Sequence, residues 1–206
     1  VDRGRRGSLL SAEATRLGLQ YRPYASLSAR LRDAHFMLLD VGQFRHFRHL
    51  LEGNDAQGRH LNIFDYSLIT ANGVSTQTLL LLTCDLPDMQ RFCISRKRWL
   101  DYDSFSESLQ HPLQPLRKDQ RPPRLHQWLL LSEQPPQLWS LLQPEVCDWF
   151  LAHPHLHIEW SDGILLLCRP EHELAADQIE AALEHAGSLI RLLQQHSSIP
   201  SGLTTH

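Results

Sequence analysis

An aspartate set between two aromatics, Phe64-Asp65-Tyr66, is the residue of this sequence best placed to do chemistry. It falls inside the strand-like run 60–70, where strand propensity disfavours a carboxylate. Facing inward, such a group needs hydrogen bonds or a cation. Asp65 is therefore a candidate polar centre, structural or functional. A catalytic acid would need a second group in reach, and no spacing in the sequence supplies one. The plainer reading is a structural carboxylate that holds a turn or pairs with an arginine. Strand alternation puts Phe64 and Tyr66 on one side of the sheet and Asp65 on the other.

The second constellation is His153, His155 and His157, spaced by two. On a strand this spacing puts them on one face, and a His-x-His pair chelates zinc when a third ligand arrives from elsewhere. Leu156, Ile158 and Trp160 take the alternate positions, so the histidines are expected to point outward, as weak metal candidates. A metal-dependent hydrolase would draw on this cluster together with Asp162 or His172. His46 and His49 invite the same caution. Nucleophiles are harder to find. There is no Gly-x-Ser-x-Gly elbow, no phosphate loop and no His-Glu-x-x-His. Cys147 and Cys168 fall on apolar segments as core thiols. Cys84 and Cys93 flank a turn and are candidates to oppose one another as a disulfide in an oxidising compartment; four cysteines without CxxC spacing otherwise suit a reducing one. No catalytic residue and no cofactor are expected.

The charge is near balance, −3 over 206 residues, but uneven. Arg3, Arg5 and Arg6 open the chain. Arg96, Lys97, Arg98, Arg117, Lys118, Arg121 and Arg124 form a candidate basic contact surface, and residues 145–184 are strongly acidic. Trp99, Tyr102 and Phe105 beside the basic run could touch lipid headgroups or nucleic acid, but Asp101 and Asp103 among them disfavour nucleic acid. The oligomeric state is not legible.

The elements that must position these residues read as α+β. Apolar content of 42% and charged content of 21% suit one globular domain. Residues 1–14 look like a flexible basic segment, 15–196 a single domain with a subdomain boundary in the proline-rich loop 101–124, and 197–206 a polar tail. Strands are expected over 17–21, 35–39, 45–51, 60–70, 76–84, 91–95, 126–132, 155–160 and 164–168. Ala71-Asn72-Gly73 and Ser161-Asp162-Gly163 make tight turns. The unbroken Leu79–Leu82 run suits a strand buried on both faces. One or two helical turns are expected over 26–34, a short helix near 104–109, one helix over 136–152 and a long amphipathic one over 173–195. The sum is an antiparallel meander or a partly open, pleckstrin-homology-like barrel with the last helix packed on the sheet.

The pattern Phe36 … Gly42 … Leu50-Leu51-Glu52-Gly53 … Ile63-Phe64-Asp65-Tyr66 … Thr76-Gln77-Thr78 resembles a family of bacterial proteins without an established activity, many with N-terminal membrane segments. The run near His153-Pro154 and the hairpin leading to Leu165–Pro170 share the resemblance, which covers about residues 17–195. The loop after Tyr66 departs from the family pattern, being short and without basic residues. The resemblance implies a membrane-associated setting and transfers no catalytic residue.

These readings favour a binding role over an enzyme: a non-catalytic cytoplasmic domain of a bacterial, membrane-anchored protein, binding a protein partner or the anionic membrane surface. A tether to the inner membrane upstream of Val1 is expected, because a basic cluster suits the cytoplasmic flank of a membrane helix. The alternatives are the metal-dependent hydrolase and a soluble immunity or adaptor protein.

Overall fold

The leucine run organises the molecule. In the computed structural model, which describes residues 3–40, 43–70, 73–96 and 110–197, it lies in a strand at the middle of a nine-stranded sheet. Along the chain the elements are α1 (Arg3–Arg16), β1 (Gln20–Tyr24), α2 (Ala29–Asp33), α3 (Met37–Asp40), β2 (Gln43–Asn54), β3 (His60–Thr70), β4 (Gly73–Thr83), β5 (Phe92–Arg96), β6 (Gln114–Pro115), β7 (Trp128–Ser132), α4 (Pro135–Leu141), α5 (Pro144–Ala152), β8 (His157–Ser161), β9 (Ile164–Cys168) and α6 (Ile179–Ser197). The strand order is β1-β2-β3-β4-β9-β8-β5-β7-β6, every pairing antiparallel. The sheet is open, not a closed barrel of the pleckstrin-homology kind. Its two edge strands each carry a proline, Pro23 in β1 and Pro115 in β6, which removes a donor from the edge and discourages pairing with another chain.

Both faces of the sheet are covered. Leu80 and Leu82 join Leu165 and Leu167 under α1, α4, α5 and α6. Leu79 and Leu81 join Ile164, Leu166 and Cys168 beneath Leu31 of α2 and Leu38 and Leu39 of α3. Each such leucine contributes about 2 kcal/mol of burial. On α6, Ile179, Ala186, Leu189, Ile190 and Leu193 recur at helical spacing and are all buried, so one stripe lies on the sheet.

The sequence and the structure part at several elements. The opening, expected to be loose over residues 1–14, forms α1 (Arg3–Arg16). Two glycines at about 1 kcal/mol each weaken its intrinsic propensity, but Leu10 and Ala14 are buried in the core. Gly18, at φ 71, ends the turn as Leu19 N–H reaches the Ala14 carbonyl. The run 35–39, expected as a strand, is a helical turn with Phe36, Met37, Leu38 and Leu39 all buried; a short apolar run has no period to distinguish the two. The helix expected over 136–152 is two helices. Pro144 forces Gln143 to an extended ψ of 162, which breaks the first helix and starts the second. The turn residues 71–72, the helix near 104–109 and the tail after 197 lie outside the described residues.

Candidate functional site

Asp65 is answered from the first helix. Its carboxylate is paired to the Arg6 guanidinium through two hydrogen bonds, Arg6 Nε to Oδ2 at 2.7 Å and Arg6 Nη2 to Oδ1 at 2.8 Å. From β4, directly opposite in register, the Thr78 hydroxyl donates to Oδ1 at 2.8 Å and accepts from Leu174 N–H at 2.9 Å. Arg6 Nη1 donates to the Leu174 carbonyl at 2.8 Å. The side chains of Arg6 and Asp65 are only 14% and 6% exposed. Four segments thus meet at one carboxylate: α1, β3, β4 and the chain entering α6. Phe64 and Tyr66 pack on the opposite face of the sheet, in accord with strand alternation.

Burial opposes the charge on Arg6, but hydrogen bonding to Asp65, with the fields of Asp65 and Glu173, outweighs it and raises its pKa. A fork-to-fork pair of this kind is directional and strong. With both carboxylate oxygens engaged, the arrangement is a clamp and does not present a free acid or base to a substrate. Beside it, the bulge in β2 between Arg48 and Leu51 carries His49 at φ 57. This turns its ring so that Nδ1 lies 2.8 Å from the Tyr21 hydroxyl. Burial lowers the His49 pKa, helped by Arg6 and Arg48 and opposed by Asp65. Gly7 of α1 passes so close that a Cβ there would lie 2.9 Å from Tyr21 Oη.

The three histidines do not converge. His153 caps the end of α5, its Nδ1 2.7 Å from the Trp149 carbonyl and its ring stacked on Trp149. His155 is exposed. His157, expected to point to solvent, is fully enclosed, because α2 and α3 cover the face that alternation assigned to water. Its Nε2 lies 2.9 Å from Glu159 Oε2. Glu159 in turn accepts from Met37 N–H at 2.6 Å and Leu38 N–H at 3.0 Å. Asp162 sits in the β8–β9 turn at φ 49, 3.9 Å from Arg30. His172 follows β9, and its carbonyl accepts from Thr78 N–H.

All four cysteines are free and buried. Cys84 lies in the cluster beneath α1 and α6 and Cys93 in the one against Met37, on the opposite face, so the two do not oppose each other as a disulfide. Burial pushes the Cys84 thiol up to about 12 and those of Cys93 and Cys168 well above their usual value, which leaves them protonated and poorly nucleophilic.

Of the basic residues, the structure brings Arg96 and Arg121 together around Trp128. Arg96 stands 5.5 Å from the indole centroid, and Arg121 Nη2 donates to the Trp128 carbonyl at 2.7 Å. Arg117 is ion-paired with Asp119 at 2.7 Å and Arg124 with Asp148 at 2.5 Å, so acids thin the positive surface. Lys118 is exposed. Lys97 and Arg98 lie outside the described residues.

From the sequence, Arg6 is only part of a loose basic opening, Cys93 is half of a candidate disulfide, and Glu159 has no role of its own. Glu159 had a signal: it shares the face of His157 and pairs with Leu166 inside the unbroken Ile164–Cys168 apolar run, a mark of a strand covered on both sides.

No family model matches the sequence, and no curated protein matches it. Among solved structures, the crystal structure of the mycobacterial trehalose monomycolate transport factor A, TtfA, aligns with a TM-score of 0.65 at 12% identity, covering 95% of this chain and 98% of that one. At that identity the likeness establishes a common fold. What stands of the sequence resemblance is this: the α+β fold is shared, end to end, with a bacterial transport factor.

Proposed function

We propose that this chain is a non-catalytic domain of a bacterial membrane-associated protein that acts, in the manner of a transport factor, by binding a protein partner at the cytoplasmic face of the inner membrane. The observation that carries this reading is the end-to-end likeness to a protein described as a transport factor. The tether upstream of Val1 belongs to the same proposal.

The chemistry of the described residues supports binding over turnover. Asp65 is clamped by Arg6, Glu159 is held by two backbone N–H groups, and the thiols are buried. A partner protein is favoured over an anionic lipid surface because two of the four α1 arginines are already paired with acids of this chain. Arg6 is on Asp65, and Arg16 bonds Glu180 of α6 at 2.6 Å. Binding by strand addition is disfavoured by the edge prolines. Exposed apolar side chains remain, among them the cross-strand pair Ile69 and Val74 near the tip of the β3–β4 hairpin and Trp139 on α4.

The test uses the full-length gene product in its own bacterium, with a photo-crosslinking residue at position 69, 74 or 139. The expected result is fractionation with the inner membrane and a crosslink to one discrete membrane protein. A product that fractionates with the cytosol and crosslinks to nothing from any of the three positions would overturn the reading.

A further inference from the structure

Cys93 of β5 and His157 and Glu159 of β8 bring a thiol, an imidazole and a carboxylate to one enclosed point, their donor atoms all within 4.8 Å of one another. We propose that these three side chains form a structural site for a thiophilic divalent cation, zinc being the best match, that staples β5 and β8 to α3. This site is independent of the partner-binding reading.

The donor set comes first. Sulfur, nitrogen and a single carboxylate oxygen suit zinc and neighbouring late first-row metals; magnesium and calcium take oxygen. Spacing comes second. Tetrahedral zinc with ordinary bond lengths sets its donors about 3.4–3.6 Å apart. The His157 Nε2 to Glu159 Oε2 separation of 2.9 Å needs to open by only about half an ångström to admit an ion, and the thiol lies inside the same small volume.

Charge comes third. All three residues are 2% exposed or less, and an isolated carboxylate in such a place is costly. A divalent cation bound by the Cys93 thiolate, the Glu159 carboxylate and neutral His157 makes a neutral cluster. Binding releases the Cys93 proton to solvent. The carboxylate is already oriented by Met37 N–H and Leu38 N–H, the outer-shell support that metal-bound carboxylates commonly have.

Cys168 borders the site on the same face of the sheet. It pairs with His157 across β8 and β9 and is 2% exposed. It lies in the cluster that fills the α2–α3 side of the sheet.

The test uses the whole chain, purified without a histidine tag and without added metal. Elemental analysis is expected to find about one zinc per chain. Replacing it with cobalt(II) should give the intense thiolate-to-cobalt absorption and visible bands of a tetrahedral site. Cys93→Ser, which keeps the side-chain size, should lose both the absorption and the metal while retaining the wild-type circular dichroism. A wild-type chain that holds no metal, and whose melting temperature is unmoved by added zinc, would overturn the proposal. So would metal that Cys93→Ser retains in full, since it would then sit on surface histidines. If Cys93→Ser fails to fold, the cobalt spectrum of the wild type decides alone: absence of the thiolate band sinks the site.

Discussion

Arg6 in the first helix and Asp65 in the third strand stand 59 positions apart and share two hydrogen bonds of 2.7 and 2.8 Å. This pair explains why a carboxylate occurs in a strand interior and why an arginine- and glycine-rich opening is helical. Removing one partner leaves a largely buried charge alone, at a cost of about 3–5 kcal/mol. Arg6→Ala and Asp65→Ala should each lower the midpoint of urea unfolding, and limited proteolysis should cut first within residues 3–16. An unchanged midpoint in either variant would mean that the pair is not formed.

Gly7 is expected to resist the usual helix-stabilising change. Gly→Ala in a helix gains about 1 kcal/mol, but the new Cβ would press on Tyr21 Oη at 2.9 Å and His49 Cε1 at 3.3 Å. Both rings are tied to one another by a hydrogen bond and yield little. Gly7→Ala should therefore lower the melting temperature in the wild-type background and lower it less, or raise it, when Tyr21→Phe removes the hydroxyl.

His49 sets part of the acid limb of stability. Its folded pKa is depressed below 6.5, chiefly by burial, so the unfolded chain binds the proton more readily. The stability it contributes is complete above about pH 6.5 and is lost as pH falls towards the folded pKa. Melting temperatures between pH 7.5 and 5.5 should fall less steeply in His49→Asn than in the wild type, asparagine tolerating the positive φ. Equal slopes would assign the acid limb to other groups.

Cys84 acts at the opposite end. Burial raises its thiol from 9.0 to about 12. The stability contributed by the neutral thiol is complete below about pH 9 and is lost as pH rises through the folded value. Cys84→Ala should cost stability at neutral pH through the cavity it leaves, yet flatten the decline above pH 9 in alkaline denaturation curves.

The sheet was legible where side-chain period and turn chemistry agreed. Leu79–Leu82 announced a strand covered on both faces, Ser161-Asp162-Gly163 announced its hairpin, and the α6 stripe announced a helix lying on the sheet. The second covering layer was not legible, because α2 and α3 are short and residues 36–39 carry no period. Missing that layer turned His157 outward and left Glu159 unnoticed. Asp65 was recognised as needing a partner, but Arg6 could not be chosen from the sequence, since its segment has the composition of a loose end and only tertiary contacts make it a helix.

Asp65, paired with Arg6, is the clamp that holds α1 on the sheet. The most direct measurement is crosslinking of the proposed partner from position 74 in the full-length protein, compared for Asp65→Leu, Arg6→Met and the two together. Replacing both members of a buried pair by apolar residues is often tolerated where replacing one is not. Each single change is expected to weaken the crosslink, and the double change to restore it. A folded double variant that has lost the crosslink would contradict the clamp role, because the carboxylate itself would then be needed.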